Sequence, residues 1–298
     1  MPALDPIRLG LQRSSLWVAA AVAPRLVDRL VVDWFATPRR RAPGGAPSLG
    51  EAWTIRSGGE DVAVHTSGSG PRVLFVHGWE GGASDFALMA AAFRVAGFGV
   101  VAFDHPAHGA STGRRTTLPA MARAVLDVAR ATGPFAAAVG HSLGGSAVLL
   151  ALRDGLAARC AALVAPPYDA RHFLTALAKQ LGLSDARAAG AVAELRRRVG
   201  AVGGRETDRA AARILVPGLV LHDRDDRAVP FSHGVAVAAA WPGARLVPLD
   251  GVGHRRALDA PAVQQELLDF VRRAAGRPGR APTIITTPRR AAAGEWTK

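Results

Sequence analysis

One serine stands in the setting that a serine nucleophile requires. Ser142 is the central residue of a G-x-S-x-G motif at 140–144. The motif follows the apolar run 135–139 and precedes a stretch with helical spacing at 146–156. A strained turn between a strand and a helix exposes such a serine, and small residues two before and two after it let the strand and the helix approach. The spacing therefore predicts that Ser142 is a nucleophile.

The same motif occurs a second time around Ser111, at 109–113. This copy also follows an apolar run, but it continues into two arginines and a threonine at 114–116 and not into a helical stretch. Because the turn needs the helix as well as the strand, we interpret Ser111 as a loop residue.

A serine hydroxyl is a weak nucleophile near neutral pH, so it needs a general base, and the base needs an acid that orients it. On a turn of this kind the acid and then the base follow the serine in the chain. His254 is the candidate base, because it lies in a glycine-rich loop after the last apolar run and no histidine follows it. The segment 221–230 offers three candidate acids, Asp223, Asp225 and Asp226.

Acyl-transfer chemistry also needs two backbone N–H groups that stabilise the negative oxygen of the intermediate. Leu143 directly follows the predicted nucleophile, so its amide is one candidate donor. His77, Gly78 and Trp79 end an earlier apolar run, and the Trp79 amide is the second candidate. We therefore predict an oxyanion hole formed by Trp79 and Leu143.

The elements that must position these residues are visible as apolar runs that alternate with helical stretches. The runs lie at 72–76, 97–103, 135–139, 161–165, 215–221 and 244–247. Continuous apolar runs separated by helices are typical of a parallel sheet that is buried on both faces. Two short runs at 52–56 and 61–66, joined by two glycines, indicate a hairpin before them. The sequence thus predicts an α/β fold with a mostly parallel, doubly wound sheet and an N-terminal hairpin.

One interval is too long for a simple connection between strands. Residues 168–213 contain enough helical spacing for two or three helices, and we predict a small helical cap insertion there. The core is then expected at 48–167 and 214–273. A cap of this size covers a modest part of the sheet edge, unless its Leu and Val residues only form a small core of their own.

Residues 1–47 are predicted to form an N-terminal helix and a linker. Spacings of three and four place Leu26, Val27, Leu30 and Val31 on one apolar stripe. Two alternatives stay open for this helix: it packs on the domain, or it makes a peripheral contact with an anionic membrane surface. Tryptophans at 17 and 34 and the arginine cluster at 39–41 would suit the second alternative.

The N-terminal sequence and the cysteine content also predict a location. An apolar stretch at 16–23 resembles the core of a signal peptide, but Pro24 follows it directly and the helical stripe continues beyond it. Cys160 is the single cysteine, so no intramolecular disulfide is possible. We therefore expect a cytoplasmic protein.

The net charge of +13 first suggests nucleic acid, but its distribution argues against that partner. Residues 1–50 hold seven Arg against three Asp, and residues 272–298 hold six Arg and one Lys against one Glu. The rest of the chain is nearly neutral, which is not the charge pattern of a DNA-binding surface. We interpret 274–298 as a basic disordered tail. Neither a metal nor a cofactor is predicted, since the H-x-x-H spacing of His105 and His108 is a weak signal.

Taken together, the motifs resemble the α/β-hydrolase superfamily, in particular its compact bacterial esterases and lysophospholipase-like hydrolases. The resemblance covers about residues 50–273 and rests on 77–79, 140–145, 222–230 and 253–254. It implies that the acid is Asp226, four residues before Pro230. Asp223 stands where the family usually has glycine, so it is the reserve candidate, and a less common family variant would use Asp169.

The resemblance implies a serine hydrolase that cleaves carboxylic esters through an acyl-enzyme intermediate. Its catalytic residues would be Ser142, Asp226 and His254, with Trp79 and Leu143 as the oxyanion hole, and its partner would be a small-molecule ester. A thioesterase, amidase or acyltransferase would share all these parts, and a non-catalytic binding protein on the same fold is an alternative of a different class. The short cap predicts acyl groups of about C2 to C8.

Overall fold

The computed structural model describes residues 19–40, 49–200 and 203–275. Most of the predicted linker and nearly all of the predicted basic tail lie outside the described residues. The first part of the N-terminal segment, which includes the tryptophan at position 17, lies outside them as well.

An eight-stranded sheet forms the centre of the fold. Its strands are β1 (Glu51–Ser57), β2 (Glu60–Ser67), β3 (Arg72–Val76), β4 (Gly99–Phe103), β5 (Ala137–His141), β6 (Ala161–Val164), β7 (Gly218–Asp223) and β8 (Ala244–Leu249). The order across the sheet is β1-β2-β4-β3-β5-β6-β7-β8. The hairpin strands β1 and β2 pair antiparallel, β2 pairs antiparallel with β4, and all remaining pairs are parallel. The predicted sheet and its N-terminal hairpin are confirmed.

Nine α-helices lie entirely within the described residues. They are α1 (Pro24–Phe35), α2 (Ala87–Val95), α3 (Leu118–Thr132), α4 (Leu143–Arg153), α5 (Arg171–Gln180), α6 (Asp185–Val199), α7 (Arg205–Ala211), α8 (Phe231–Ala240) and α9 (Pro261–Ala275). Alternate residues of each central strand face opposite sides, so Val73 and Phe75 pack with α2 and α9, whereas Leu74 and Val76 pack with α3 and α4. This alternation gives the domain two apolar cores, one on each face of the sheet.

The strand that carries the predicted nucleophile ends later than the sequence indicates. We predicted a run at 135–139, but β5 continues through Gly140 and His141 because both residues pair with β6. Helix α4 likewise begins at Leu143 and not at residue 146. The predicted boundaries were wrong by two or three residues, since small and polar residues at this turn hide the continuation of both elements.

The range predicted as a cap holds the helices α5, α6 and α7, which do not form one unit. Helix α7 packs against α4 and α8 and contributes Ala210 and Ala211 to the core beneath the sheet. Helices α5 and α6 pack instead against α1 from the N-terminal segment. We call α1, α5 and α6 the cap layer. Of the two alternatives for the N-terminal helix, the structure shows packing, and its contact is with the cap.

No helix among the described residues is long and apolar enough to cross a membrane. On α1, Val27 and Val31 of the predicted stripe are buried, but Leu26 and Leu30 are about half exposed and lie outside the contact with α5 and α6. A peripheral membrane contact through this face stays a prediction.

Candidate active site

Ser142 lies on the turn between β5 and α4, in a backbone conformation that non-glycine residues rarely adopt. Its φ is 52° and its ψ is −130°. Its amide donates to the carbonyl of Val164 on β6, which ties the turn to the sheet. A side chain at Gly144 would meet the Val76 carbonyl oxygen at 2.3 Å. The glycine of the motif is therefore required where the helix crosses the neighbouring strand.

His254 and Asp226 form a hydrogen-bonded pair at the same edge of the sheet. The Nδ1 atom of His254 lies 2.7 Å from Oδ2 of Asp226, whose side chain is completely buried. The other carboxylate oxygen accepts the amides of Ala228 and Val229 at 2.8 and 2.9 Å. Burial by itself raises the pKa of Asp226, but the hydrogen bonds from His254 and the two amides lower it overall. Asp226 is thus ionised and its charge faces the histidine.

The histidine before the nucleophile connects the serine turn with the histidine loop. His141 Nε2 donates to the carbonyl oxygen of His254 at 3.0 Å, and the two rings lie 4.8 Å apart. Burial, together with the neighbouring His254, lowers the pKa of His141 to about 3, so its ring is neutral. No sequence pattern identified the partner of this histidine, because the carbonyl that it contacts lies 113 residues away in the chain.

The rival acids have other partners. Asp223 Oδ2 accepts the amide of Gly253 at 2.7 Å, and its Oδ1 accepts the amide of Asp225 at 2.8 Å. Burial raises the pKa of Asp223, but these backbone hydrogen bonds lower it overall. Asp225 is exposed, and Asp169 pairs with Arg171 on the cap side. Of the four aspartates considered, Asp226 is the one on the His254 ring, while Asp223 fixes the residue before that histidine.

The turn after β3 lies directly against the nucleophile. A side chain at Gly78 would come within 2.8 Å of the Ser142 Cβ, so the backbone of this turn approaches the serine closely. His108 Nε2 accepts the amide of Glu80 at 3.1 Å, and burial lowers the pKa of His108 to about 3, which keeps it a neutral acceptor. The turn that contains Trp79 is thereby anchored by the loop after β4, to which His108 belongs.

The second serine of the sequence motif has a structural environment. Ser111 is fully buried, donates to the Asp104 carbonyl at 2.6 Å and accepts the Ala63 amide at 2.9 Å. The first hydrogen bond closes the loop after β4 on itself, and the second fixes this loop against β2. Ser111 is thus enclosed by backbone groups and lies apart from the His254–Asp226 pair.

Three buried histidines lie behind the turn after β3. The rings of His77 and His105 are 4.6 Å apart, and the ring of His108 lies 5.1 Å from that of His77. His77 uses Nδ1 to donate to the Gly78 carbonyl and Nε2 to accept the His105 amide. Among residues 19–40, 49–200 and 203–275, no group of three or more His, Cys, Asp or Glu side chains is arranged to hold a metal ion.

Known proteins of similar sequence and structure share this fold. One relative is a Pseudomonas savastanoi pv. phaseolicola protein whose name describes it as the carbamate hydrolase RutD; the two are 38% identical over 78 residues, which cover 26% of this chain. The matched segment spans 30% of that relative's length, so the likeness concerns less than a third of it.

Two solved structures illustrate the likeness in fold. A protein described as a lipase, from Acinetobacter baumannii, superimposes with a TM-score of 0.60 at 17% identity, over 84% of this chain and 96% of that one. An esterase from Exiguobacterium antarcticum gives a TM-score of 0.58 at 19% identity, over 73% of this chain and 98% of that one. At such identities the superpositions establish the fold alone.

The family model of the alpha/beta hydrolases matches residues 73–264, which is well over half of the chain. The matched range contains the Ser142 turn, the Asp226 loop and His254. Membership of this family supports a hydrolytic activity. The chain belongs to the alpha/beta hydrolase family.

Proposed function

We propose that the protein is a serine hydrolase that cleaves carboxylic esters through an acyl-enzyme intermediate. The proposal is supported by the hydrogen-bonded pair of His254 and Asp226 and by the strained backbone of Ser142, whose neighbour His141 contacts His254. A strained serine at the end of a strand, a histidine and a buried ionised carboxylate are the groups that acyl transfer requires.

In the proposed mechanism Ser142 Oγ attacks the ester carbonyl carbon while His254 Nε2 accepts the hydroxyl proton. Asp226 keeps the other proton of the ring on Nδ1 and stabilises the imidazolium that forms. The carbonyl oxygen becomes negative and accepts hydrogen bonds from the Trp79 and Leu143 amides. When the tetrahedral intermediate collapses, the ester C–O bond breaks and His254 returns the proton to the departing alcohol.

The second half of the reaction repeats these steps with water. His254 takes a proton from a water molecule, whose oxygen attacks the acyl-enzyme carbonyl. Collapse of the second tetrahedral intermediate breaks the bond to Ser142, releases the carboxylic acid and restores the serine hydroxyl. No cofactor takes part in this scheme.

Labelling with a fluorophosphonate probe tests the proposal, because such probes react covalently with activated serines. We expect the protein to be labelled and the Ser142→Ala variant to remain unlabelled, with ester turnover lowered by about 10⁴ or more. Ser111→Ala is the matched control and should still be labelled, although its lost hydrogen bonds lower stability.

Two results would contradict the assignment. Labelling that survives in Ser142→Ala would move the nucleophile elsewhere. A wild-type protein that is folded but never labelled would favour the alternative of a non-catalytic binding protein on this fold.

The ester assignment needs its own comparison, because a thioesterase, an amidase or an acyltransferase would use the same groups. We expect a p-nitrophenyl ester to be turned over faster than the matched thioester and anilide. A faster reaction with the thioester or the amide, or transfer to an added alcohol in preference to water, would replace the ester assignment and leave Ser142 in place.

A further inference from the structure

The N-terminal helix α1 is an integral part of the cap layer. Its inner face places Val27 and Val31, both essentially unexposed, against Leu174 on α5 and Leu195 on α6. Contacts of this kind bind the two segments into one packed unit, although they are separated by most of the core sequence.

Ion pairs also join α1 to α6, one in each half of the helix. Asp28 is nearly buried among the apolar residues and pairs with Arg187 of α6 at 3.1 Å. Near the other end, Asp33 accepts Arg198 of α6 at 2.6 Å and Arg115 of the core at 3.0 Å. Asp33 therefore joins the cap layer to the loop that precedes α3.

The C-terminal end of α1 reaches the turn beside the nucleophile. The ring of Phe35 stacks on the ring of Trp79, with the centroids 6.1 Å apart and the planes within 14° of each other. The Trp79 ring also meets the His108 ring at 5.4 Å, edge to face. Both aromatic side chains at this contact, Phe35 and Trp79, are only partly buried, so each keeps an accessible surface.

The residues after the helix fasten this contact to the core. The Ala36 carbonyl accepts the Thr116 amide at 2.9 Å, and the Arg39 amide donates to the Glu80 carboxylate at 3.2 Å. The Arg40 guanidinium donates to the carbonyls of two glycines, at 109 and 113. The segment that follows α1 is thus hydrogen-bonded both to the turn after β3 and to the loop between β4 and α3.

We infer that Phe35 limits the size of the acyl group that the protein accepts. This inference rests on the proposed function, in which the ester carbonyl binds against the Trp79 amide. Trp79 is the residue after Gly78, whose backbone lies against Ser142. The Phe35 ring stacks on the Trp79 ring. An acyl chain that extends from the oxyanion turn beneath the cap layer meets this aromatic pair, so the N-terminal helix contributes a specificity residue.

A size series at position 35 tests the inference. The kcat/KM values for p-nitrophenyl butyrate and p-nitrophenyl decanoate are measured for the wild type and for Phe35→Ala, Phe35→Leu and Phe35→Trp. Burial of one methylene changes the rate by about fourfold, so room for two more should raise the decanoate-to-butyrate ratio by about tenfold or more in Phe35→Ala. We expect a smaller rise in Phe35→Leu and a fall in Phe35→Trp.

Two further variants separate the ring from the helix that carries it. Leu30→Ala changes an exposed residue of α1, and Leu177→Ala loosens the interior of the cap layer without touching Trp79. Neither should alter the ratio. An equal rise in Leu177→Ala would overturn the inference, because the selectivity would then come from the packing of the cap layer as a whole.

A short-chain and a long-chain alkyl fluorophosphonate provide a second readout that does not depend on the leaving group. The ratio of their labelling rates should follow the same size order at position 35. If the wild type is labelled and folded Phe35→Leu and Phe35→Trp keep its ratio, the inference is wrong and the proposed function stands. If neither probe labels the wild type, the proposed function fails and the inference falls with it.

Discussion

Ser142, His254 and Asp226 are held by backbone hydrogen bonds and short side-chain contacts at strand ends, whereas the cap layer is held by side chains from distant segments. The turn at Ser142 is formed by β5, α4 and the glycines between them, and backbone groups of the neighbouring strands β3 and β6 hold it. Helix α1, in contrast, packs on α6, and the ion pair of Asp28 and Arg187 joins residues that are 159 positions apart in the chain.

This difference predicts two kinds of response to mutation. Changes at the strand ends should abolish the chemistry and leave the cap layer packed. Changes within the cap layer should alter how often the layer opens, because regions with few core contacts open at lower free energy than the sheet. Among them, only changes at Phe35 should alter which acyl groups are accepted.

The largest expected effect is on catalysis, in Asp226→Asn. An asparagine would present an N–H group to His254 Nδ1 and so favour the ring tautomer that cannot accept the Ser142 proton. Turnover should fall by about 10⁴ with the fold intact, measured as kcat on an ester and as the probe-labelling rate. If Asp223→Asn lowers turnover more than Asp226→Asn does, the acid is Asp223.

A matched pair of leucines tests the two regions for stability. Leu163 on β6 and Leu174 on α5 are both fully buried, one in the core and one in the cap layer. Replacement by alanine costs about 2–5 kcal/mol at such positions. We expect Leu163→Ala to lower the free energy of global unfolding by this amount. Leu174→Ala should instead speed amide hydrogen exchange in α1, α5 and α6 alone.

Urea unfolding measures the global stability of both variants, and hydrogen exchange measures the local opening of the cap layer. Equal acceleration of the strand amides in both variants would mean that the cap layer and the sheet unfold as a single unit. The distinction drawn between the two regions would then be wrong.

A medium effect is expected at Asp223, which acts on the histidine loop through the backbone and not on the ring. Asp223→Ala removes the acceptor of the Gly253 amide and should lower kcat by about 10-fold or more with little change in KM, because losing one hydrogen bond costs about 1–3 kcal/mol. Asp223→Asn keeps one carbonyl oxygen and should restore part of the loss. An unchanged kcat in Asp223→Ala would contradict a positioning role.

The smallest expected effect is a loss of stability in mild acid, caused by the neutral histidines behind the site. Burial lowers the pKa of His108 and of His141 to about 3 in the folded protein, while an unfolded histidine titrates near about 6.5. Their contribution is therefore complete above about pH 6.5 and is lost as the pH falls toward about 3. From about pH 7 to about pH 5 each should cost about 1–2 kcal/mol.

Urea unfolding at several pH values measures this loss. In His108→Gln, the side-chain oxygen can still accept the Glu80 amide. The pH dependence of the free energy of unfolding should then be smaller by the contribution of one histidine. The lowered pKa values of Asp223 and Asp226 do not interfere, since their contribution is complete above about pH 4 and is lost only below it. The same pH dependence in His108→Gln and in the wild type would show that His108 does not titrate on unfolding.

The amino-acid sequence determined the parts of this protein that depend on short segments of chain. The alternation of apolar runs predicted the parallel sheet, because strands buried on both faces need continuous apolar side chains. The motif around Ser142 predicted the serine turn, because the steric need for two glycines acts within five residues. The order of Ser142, Asp226 and His254 along the chain follows from the order of the strands that carry them.

Only the tertiary structure decided how distant segments combine. Three aspartates lie within four residues at the end of β7, and which of them meets His254 depends on the position of a loop about 30 residues later. The apolar stripe of α1 predicted a buried face, of which Val27 and Val31 are buried and Leu26 and Leu30 are not, and a stripe carries no information about its partner. Association with α5 and α6, and with it the contact between Phe35 and Trp79, arises from the complementary shapes and charges of surfaces that exist only after both segments have folded.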